Sequence, residues 1–175
     1  MKRIFVALMA FSSMVLFAQA SGSLSPSESL PALDGAVADG EYQFTTTASG
    51  MDIGATLGTD GNLYLSIRAK TAGWVALGVG GRAMSGSRLF IAYDTGDKQF
   101  FTEQRGVGHF HSDVKDQVVS KWAVKKVDGT TTLELVLPAS AAVANGNLDI
   151  LYAYAESTAF MHHKARGSLS LSVQS

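Results

Sequence analysis

Apolar and polar residues alternate along several short stretches of the chain, and this period of two limits the fold more than any other feature. The stretch NLYLSIRAK, residues 62–70, places leucine, isoleucine and alanine side chains on one face and mostly polar ones on the other. TTLELVLP and GSLSLSV repeat the pattern. Successive side chains of a strand point to opposite faces, so these stretches predict strands with one solvated face.

Two further stretches, GWVALGVG and DILYAYAE, are apolar on both faces and are therefore predicted to be central strands. Turn signals separate the strand-like runs, and the turn VDGT predicts a hairpin that joins KWAVKKV to TTLELVL. PASAAVANG is the only helix-like stretch, and it is short. Many short strands separated by turns predict an all-β fold, an antiparallel β-sandwich of the immunoglobulin-like kind.

The N-terminus has the pattern of an export signal. Lys2 and Arg3 precede an apolar run over residues 4–17, and AQA at 18–20 has the small-x-small form of a cleavage site. A membrane anchor is the alternative, but the run is shorter than the roughly 20 residues that a spanning helix needs. We therefore expect a signal peptide over residues 1–20, a flexible leader over 21–32, and one domain over 33–175 in the periplasm or outside the cell.

Composition narrows the possible partners and chemistry. The formal net charge is −1 without a basic patch, so nucleic acid is not expected as a partner. No second long apolar segment follows the N-terminal run, so no membrane span is expected in the mature chain. The chain has no cysteine and therefore no C-x-x-C-H motif for covalent haem attachment. The common motifs of hydrolases, zinc proteases and nucleotide-binding enzymes are also missing, so we do not expect an enzyme.

Two loops carry side chains that could bind a metal or a cofactor. The loop GGRAMSGSR contains Met84, whose thioether is either a soft ligand for haem iron or copper, or flexible filler. The loop STAFMHHKARG contains His162 and His163, which are either a surface pair or one pocket-facing ring beside one solvated ring. Because a sandwich gathers alternate loops at one end, we expect these loops to meet there.

A third cluster, GVGHFHSD, contains His109 and His111. In an extended segment residues i and i+2 share a face, so the pair could hold copper or zinc together with Asp113 or Asp116. The alternative is that both histidines only form hydrogen bonds.

Taken together, three of these stretches resemble the DOMON domain family over about Asp52 to Val173. The most specific is GWVALGVGGRAMSGSRLFIAYD, with an apolar strand, a glycine-bearing loop with methionine, and a second strand. A weaker similarity covers GVGHFHSD and the hairpin that follows it, and HHKARGSLSLSV resembles the terminal part of the family.

The resemblance implies a DOMON-type β-sandwich that holds one non-covalent haem b between a methionine and a histidine. Met84 matches the methionine, and His162 best matches the histidine, with His163 as the alternative one residue away. Side chains proposed for the pocket walls are Leu77, Val79, Leu89, Ile91, Phe160 and Met161. Charged side chains that either pair with the haem propionates or are solvated are Arg82, Arg88, Lys164 and Arg166.

The function that the resemblance implies is an exported b-type cytochrome domain that transfers single electrons. Its partner would be a redox protein or a small-molecule electron donor or acceptor. With both axial positions filled, the iron would not activate oxygen or a substrate. The alternative is a haem-free binding module for a sugar or another small ligand.

Overall fold

The computed structural model describes residues 21–160 and 162–174. The predicted signal peptide, residues 1–20, lies outside this part of the chain, and so does Met161. Two sheets pack face to face, and the predicted all-β sandwich is confirmed. Among the described residues no helix combines the length and the apolar character needed to cross a bilayer.

The larger sheet has eight strands, with the order β1-β13-β12-β5-β6-β7-β8 and with β11 paired to β12. Its strands are β1 Ser21–Leu24, β5 Val75–Val79, β6 Arg88–Asp94, β7 Gln99–Val107, β8 Phe110–Asp113, β11 Val143–Ala144, β12 Asn147–Tyr154 and β13 Ala165–Val173. The predicted central strands are β5 and β12, which lie side by side in the middle of this order, so that prediction is confirmed.

The smaller sheet has five strands, with the order β2-β3-β4-β10-β9. They are β2 Phe44–Ala48, β3 Met51–Leu57, β4 Asn62–Lys70, β9 Lys121–Val127 and β10 Thr130–Pro138, and the helix-like stretch forms a single 3-10 turn at Ala139–Ala141. The predicted hairpin is β9–β10. Asp128 and Gly129 both have positive φ, 50° and 74°, which is the geometry of the type I′ turns that match strand twist.

The core lies between the two sheets and consists of the side chains that the alternation assigns to one face. Leu65 on β4 is fully buried, as are its cross-strand partner Leu135 on β10 and Phe90 on the opposing sheet. Burial of apolar surface stabilises such a sandwich at roughly 25 cal/mol per Å². The period of two therefore decides which face of each strand remains outside the core.

The predicted flexible leader requires a correction, because its first residues form a strand. β1, Ser21–Leu24, pairs in parallel with β13, and Leu24 is fully buried in the core. Ser27 forms a further parallel bridge with Gly58. The strand contains a single large apolar residue, so it leaves almost no periodic signal. β1 covers the backbone groups that β13 would otherwise expose at the edge of the sheet.

The outer face of the smaller sheet is covered by residues 33–42. Glu134 on β10 is fully buried there and accepts hydrogen bonds from the Tyr42 hydroxyl at 2.8 Å and from the N–H groups of Asp34 and Gly35 at 3.1 and 2.7 Å. Burial raises the pKa of Glu134 although these hydrogen bonds act in the opposite direction. Burial and the nearby Glu134 carboxylate raise the pKa of Tyr42. The Glu134 carboxylate therefore holds residues 33–42 against the outer face of the smaller sheet.

Candidate functional site

A cavity of about 750 Å³ lies on the outer face of the eight-stranded sheet. Its floor is formed by side chains that alternate with core residues on three strands. The floor residues are Ala76, Gly78, Leu89, Ile91, Leu151 and Ala153. The cavity is therefore a consequence of the same period of two that builds the core.

The floor combines small and large apolar residues in two cross-strand rows. Gly78 on β5 lies in register between Leu89 on β6 and Leu151 on β12. In the next row Ala76 lies between Ile91 and Ala153, again in register. Leu89 leans over Gly78, since its Cδ2 atom lies 2.9 Å from the position of a Cβ on that glycine, whereas Ala76 and Ala153 form a low apolar surface beside it.

Residues 80–87, which we call the methionine loop, join β5 to β6 and bring Met84 to the cavity. Within the loop the Ser87 hydroxyl donates to the Ala83 carbonyl oxygen at 2.6 Å. Gly86 N–H donates to the Gly106 carbonyl oxygen and Gly106 N–H donates to that of Ser87, both at 2.9 Å. These bonds attach the loop to β7 and hold Met84, which is half-buried, over the cavity.

Gly106 on β7 determines how closely the methionine loop can approach the sheet. A Cβ atom at this position would overlap the Met84 carbonyl oxygen and would lie 3.0 Å from Met84 Cγ. The contact requires glycine. Sequence analysis missed Gly106, because the glycines of RGVG resemble an ordinary turn.

Residues 155–164, which we call the histidine loop, join β12 to β13 and are anchored at Trp74. The Trp74 indole N–H donates to the Ala159 carbonyl oxygen at 3.0 Å, and Ala155 N–H donates to the Trp74 carbonyl oxygen at 3.0 Å. Phe160 packs edge-on against Trp74, with ring centroids 6.4 Å apart. The loop thereby brings Phe160 and His163 to the cavity.

The two adjacent histidines of this loop have different positions. Both are exposed, but His163 lines the cavity, whereas His162 is not among the lining residues. Neighbouring residues in an extended segment point to opposite sides. Of the two histidines that the sequence offers as a ligand, His163, the alternative, therefore lies beside the cavity, and His162 does not.

The expectation that both loops meet at one end of the sandwich requires a correction. Val79, which precedes the methionine loop, pairs with Ile150 near the start of β12, whereas Tyr154 at the end of β12 pairs with Val75 at the start of β5. The two strands are antiparallel, so their loops leave from opposite ends of the sheet. Both loops fold back over the same outer face and approach the cavity from opposite directions.

The remaining apolar residues predicted for the pocket divide between the two faces of the sheet. Leu89, Ile91 and Phe160 line the cavity. Leu77 is also among the lining residues, although its side chain belongs to the core. Val79 is fully buried on the core side of β5 and lies away from the cavity, because residues two apart on a strand share a face.

The charged residues predicted near a ligand also divide into two groups. Arg82 and Arg166 line the cavity, are exposed, and take part in none of the ion pairs among the described residues. Lys164 forms a surface ion pair with Glu156.

Arg88 instead faces the sandwich interior and forms an ion pair with the fully buried Glu103. Burial acts to lower the pKa of Arg88, but its hydrogen bonds to Glu103 outweigh burial and raise the pKa. Arg88 is therefore a structural residue and is not available to a ligand in the cavity.

His109 and His111 both line the same cavity. In residues 21–160 and 162–174 no group of three His, Cys, Asp or Glu side chains is arranged to hold a metal ion. The carboxylates considered for a copper or zinc site have other partners. Asp113 accepts from the Gln104 amide at 2.8 Å, and Asp116 pairs with Arg88 at 3.3 Å.

Solved structures with a similar fold include two cytochrome domains. The cytochrome domain of Myriococcum thermophilum cellobiose dehydrogenase matches with a TM-score of 0.57 and 11% sequence identity, over 75% of this chain and 81% of that chain. The cytochrome b domain of pyranose dehydrogenase from Coprinopsis cinerea matches with a TM-score of 0.56 and 8% identity, over 70% of this chain and 76% of that chain. At these identities the similarity shows a shared β-sandwich fold.

A family 9 carbohydrate-binding module from Caldicellulosiruptor kristjanssonii, solved in complex with glucose, matches with a TM-score of 0.49 and 11% identity, over 89% of this chain and 96% of that chain. This score is too low to support a common function. No protein-family model matches the sequence, and no curated protein sequence is detectably similar to it.

Proposed function

We propose that the cavity binds one haem b non-covalently, with Met84 and His163 as axial ligands, and that the protein is a DOMON-type cytochrome domain that transfers single electrons. One observation supports this most strongly. Met84 and His163 are far apart in the chain and belong to loops at opposite ends of the sheet, yet both line one cavity. The fold shared with two cytochrome domains agrees with the proposal.

The residues around the cavity fit such a group. The volume of about 750 Å³ lies within the roughly 300–1,000 Å³ of typical cofactor sites, and the floor is apolar. A thioether and an imidazole are a ligand pair used at haem iron in electron-transfer proteins. The chain has no cysteine, which agrees with non-covalent binding.

Each side chain has a distinct role in this proposal. Met84 would hold the group through its thioether sulfur and His163 through an imidazole nitrogen. A bound haem would supply an iron that exchanges one electron between its ferrous and ferric states. Methionine favours the ferrous state more than a second histidine does, so we expect a relatively high reduction potential.

The other lining residues bind and orient the group. The apolar floor around Ala76 and Ala153 excludes water and lowers the local dielectric. Arg82 and Arg166 provide guanidinium groups that bind carboxylates strongly, and we assign them to the two propionates. Both arginines are exposed, so the propionate side of the group would face solvent and a redox partner.

The partner that we propose is a redox protein or a small-molecule electron donor or acceptor, in the periplasm or outside the cell. The location depends on the predicted signal peptide. If Met84 and His163 both held the haem iron, no position would remain for oxygen or a substrate, and we therefore propose an electron carrier without catalytic activity of its own.

The test is reconstitution of the purified protein with haemin, followed by visible and EPR spectroscopy. We expect stoichiometric binding, a low-spin spectrum and a methionine–iron signature in the wild type. His163→Ala should shift the spectrum toward high spin, whereas the control His162→Ala should leave it low-spin. Met84→Ala should remove the methionine signature and lower the reduction potential. A wild-type protein that stays colourless would overturn the proposal and favour the haem-free binding module.

A further inference from the structure

His111 is a cavity-lining residue that the proposed ligand pair does not use. It lies on β8, is half-buried, and packs edge-on against Phe160 with ring centroids 6.4 Å apart. Its Nδ1 atom is hydrogen-bonded to Oε1 of Gln104 on β7. The Nε2 atom of Gln104 in turn donates to Asp113 Oδ1 at 2.8 Å.

This chain of bonds fixes the position of the proton on the imidazole ring. The Asp113 carboxylate can only accept, so the NH₂ group of Gln104 must face it. The other end of the amide, Oε1, therefore faces His111 and can also only accept. It follows that His111 Nδ1 carries the proton and that Nε2 of the neutral ring has a free lone pair.

The arrangement has the features of a metal-binding histidine. Such histidines usually donate one ring N–H to an oxygen acceptor, which sets the tautomer and orients the other nitrogen toward the metal. In the described part of the chain His111 Nε2 forms no hydrogen bond. In the same described residues, the His163 side chain forms no hydrogen bond that would orient its ring. The ring of His111 is therefore the better oriented of the two for binding a metal.

His111 also lies beside Met84. Its direct cross-strand partner on β7 is Gly106, and Met84 Cγ lies 3.0 Å from the position of a Cβ atom on Gly106. The Cβ positions of directly opposite residues are about 4.5–5.5 Å apart and share a face. Because Gly106 has no side chain, no side chain of β7 at this position lies between Met84 and His111.

His163 lies toward the other side of the cavity, because the next residue, Lys164, donates its backbone N–H to the Tyr154 carbonyl oxygen at the end of β12 at 2.7 Å. His111 belongs to β8 at one edge of the order β13-β12-β5-β6-β7-β8, and His163 lies in the loop between β12 and β13. His111 and Met84 are therefore on the β7–β8 side of the cavity and His163 is on the β12–β13 side, while Phe160 of the histidine loop reaches across to His111.

We propose that His111 replaces Met84 as the axial ligand of the iron when the methionine is released, so that the cavity has two ligand sets, His163 with Met84 and His163 with His111. This inference rests on the proposed haem site. A second imidazole stabilises ferric iron relative to a thioether, so the exchange lowers the reduction potential. The iron in this cavity would then have two different reduction potentials, one with each ligand pair.

The experiment uses haemin-reconstituted full-length protein, with EPR and visible spectra of the ferric form. We expect Met84→Ala to remain predominantly low-spin with a bis-histidine signature, and Met84→Ala/His111→Ala to become predominantly high-spin. Met84→Ala/His109→Ala is the matched control and should stay low-spin. Added imidazole should return the double variant with His111→Ala to low spin, which shows that its cavity is intact.

Two results would overturn the inference. One is a high-spin Met84→Ala protein, and the other is a low-spin spectrum that persists in Met84→Ala/His111→Ala. The proposed haem site would still stand after either result, provided that the wild type is low-spin and shows the methionine signature. A wild-type protein that binds no haemin would instead reject the haem site itself.

Discussion

Met84 covers Gly106 so closely that a Cβ atom on residue 106 would overlap the Met84 carbonyl oxygen. The overlap involves backbone, which cannot rotate away as a flexible side chain can. The position of the methionine loop over the cavity therefore depends on the absence of a side chain in the neighbouring strand.

Gly106→Ala should move the methionine loop away from the sheet. We expect a cost of about 1–3 kcal/mol in the free energy of unfolding, typical of overpacking, and loss of the methionine–iron signature after reconstitution with haemin. Gly81→Ala is the matched control within the same loop, since its Cβ would meet only Ser87 Oγ at 3.3 Å and the Ala83 carbonyl oxygen at 3.9 Å. An unchanged methionine signature in Gly106→Ala would contradict this account of the loop.

Arg88 and Arg82 should respond differently to the same substitution. Arg88→Met leaves the buried Glu103 without its cation, and removing one partner of a buried pair costs about 3–5 kcal/mol. We expect the lower end, because the N–H groups of Val118 and Val119 still donate to the carboxylate. Arg82→Met should change stability by less than about 0.5 kcal/mol while weakening haem binding. Urea unfolding and haemin titration measure the two effects, and equal losses of stability would refute the distinction.

The strand at the start of the described chain should contribute measurably to stability. Leu24 is fully buried, so Leu24→Ala should lower the free energy of unfolding by about 2–5 kcal/mol, as core truncations do. Leu30 is 42% exposed, and the control Leu30→Ala should cost less than about 1 kcal/mol. Chemical denaturation measures the free energy of unfolding of both variants. Similar small losses of stability in the two variants would mean that β1 does not pair with β13 in solution.

Glu134 should make stability depend on pH. Burial raises its pKa in the folded protein above the ordinary value of 4.5, so the folded state holds this proton more tightly than the unfolded state. The stabilising contribution is complete below pH 4.5 and is lost as the pH rises through the raised pKa.

Urea unfolding of the wild type and Glu134→Gln over a pH series tests this dependence. The wild type should lose stability relative to the variant as the pH rises above 4.5. Groups that titrate equally in both proteins cancel in the difference. A difference that is flat, or that grows with pH, would show that the hydrogen bonds to the carboxylate outweigh burial.

The sequence predicts the sheets better than it predicts how the loops use them. Alternation identifies β4 and β10 because a face of buried residues repeats every second position, and the VDGT turn identifies their hairpin. Alternation does not identify β1, because Leu24 is the one buried apolar residue of that strand. A four-residue strand depends on the partner that it covers, and that partner lies about 150 residues away in the chain.

The candidate site was predictable in its residue types but not in its geometry. Met84 and the histidine pair stand out because such side chains are uncommon in glycine- and serine-rich loops. That the two loops start from opposite ends follows from the pairing of β5 with β12, which no local pattern contains. The same holds for Gly106 and for Gln104, whose roles depend on neighbours across the sheet.

The approach of the two loops from opposite ends of the sheet has a kinetic consequence. A molecule bonded to both loops can lose one bond and stay tethered by the other, and the released side chain then rebinds at a high effective concentration. Escape requires both bonds to be open at the same time. Departure should therefore be much slower than the breaking of either bond alone, and weakening either loop should shorten the residence time more than it disturbs the sandwich.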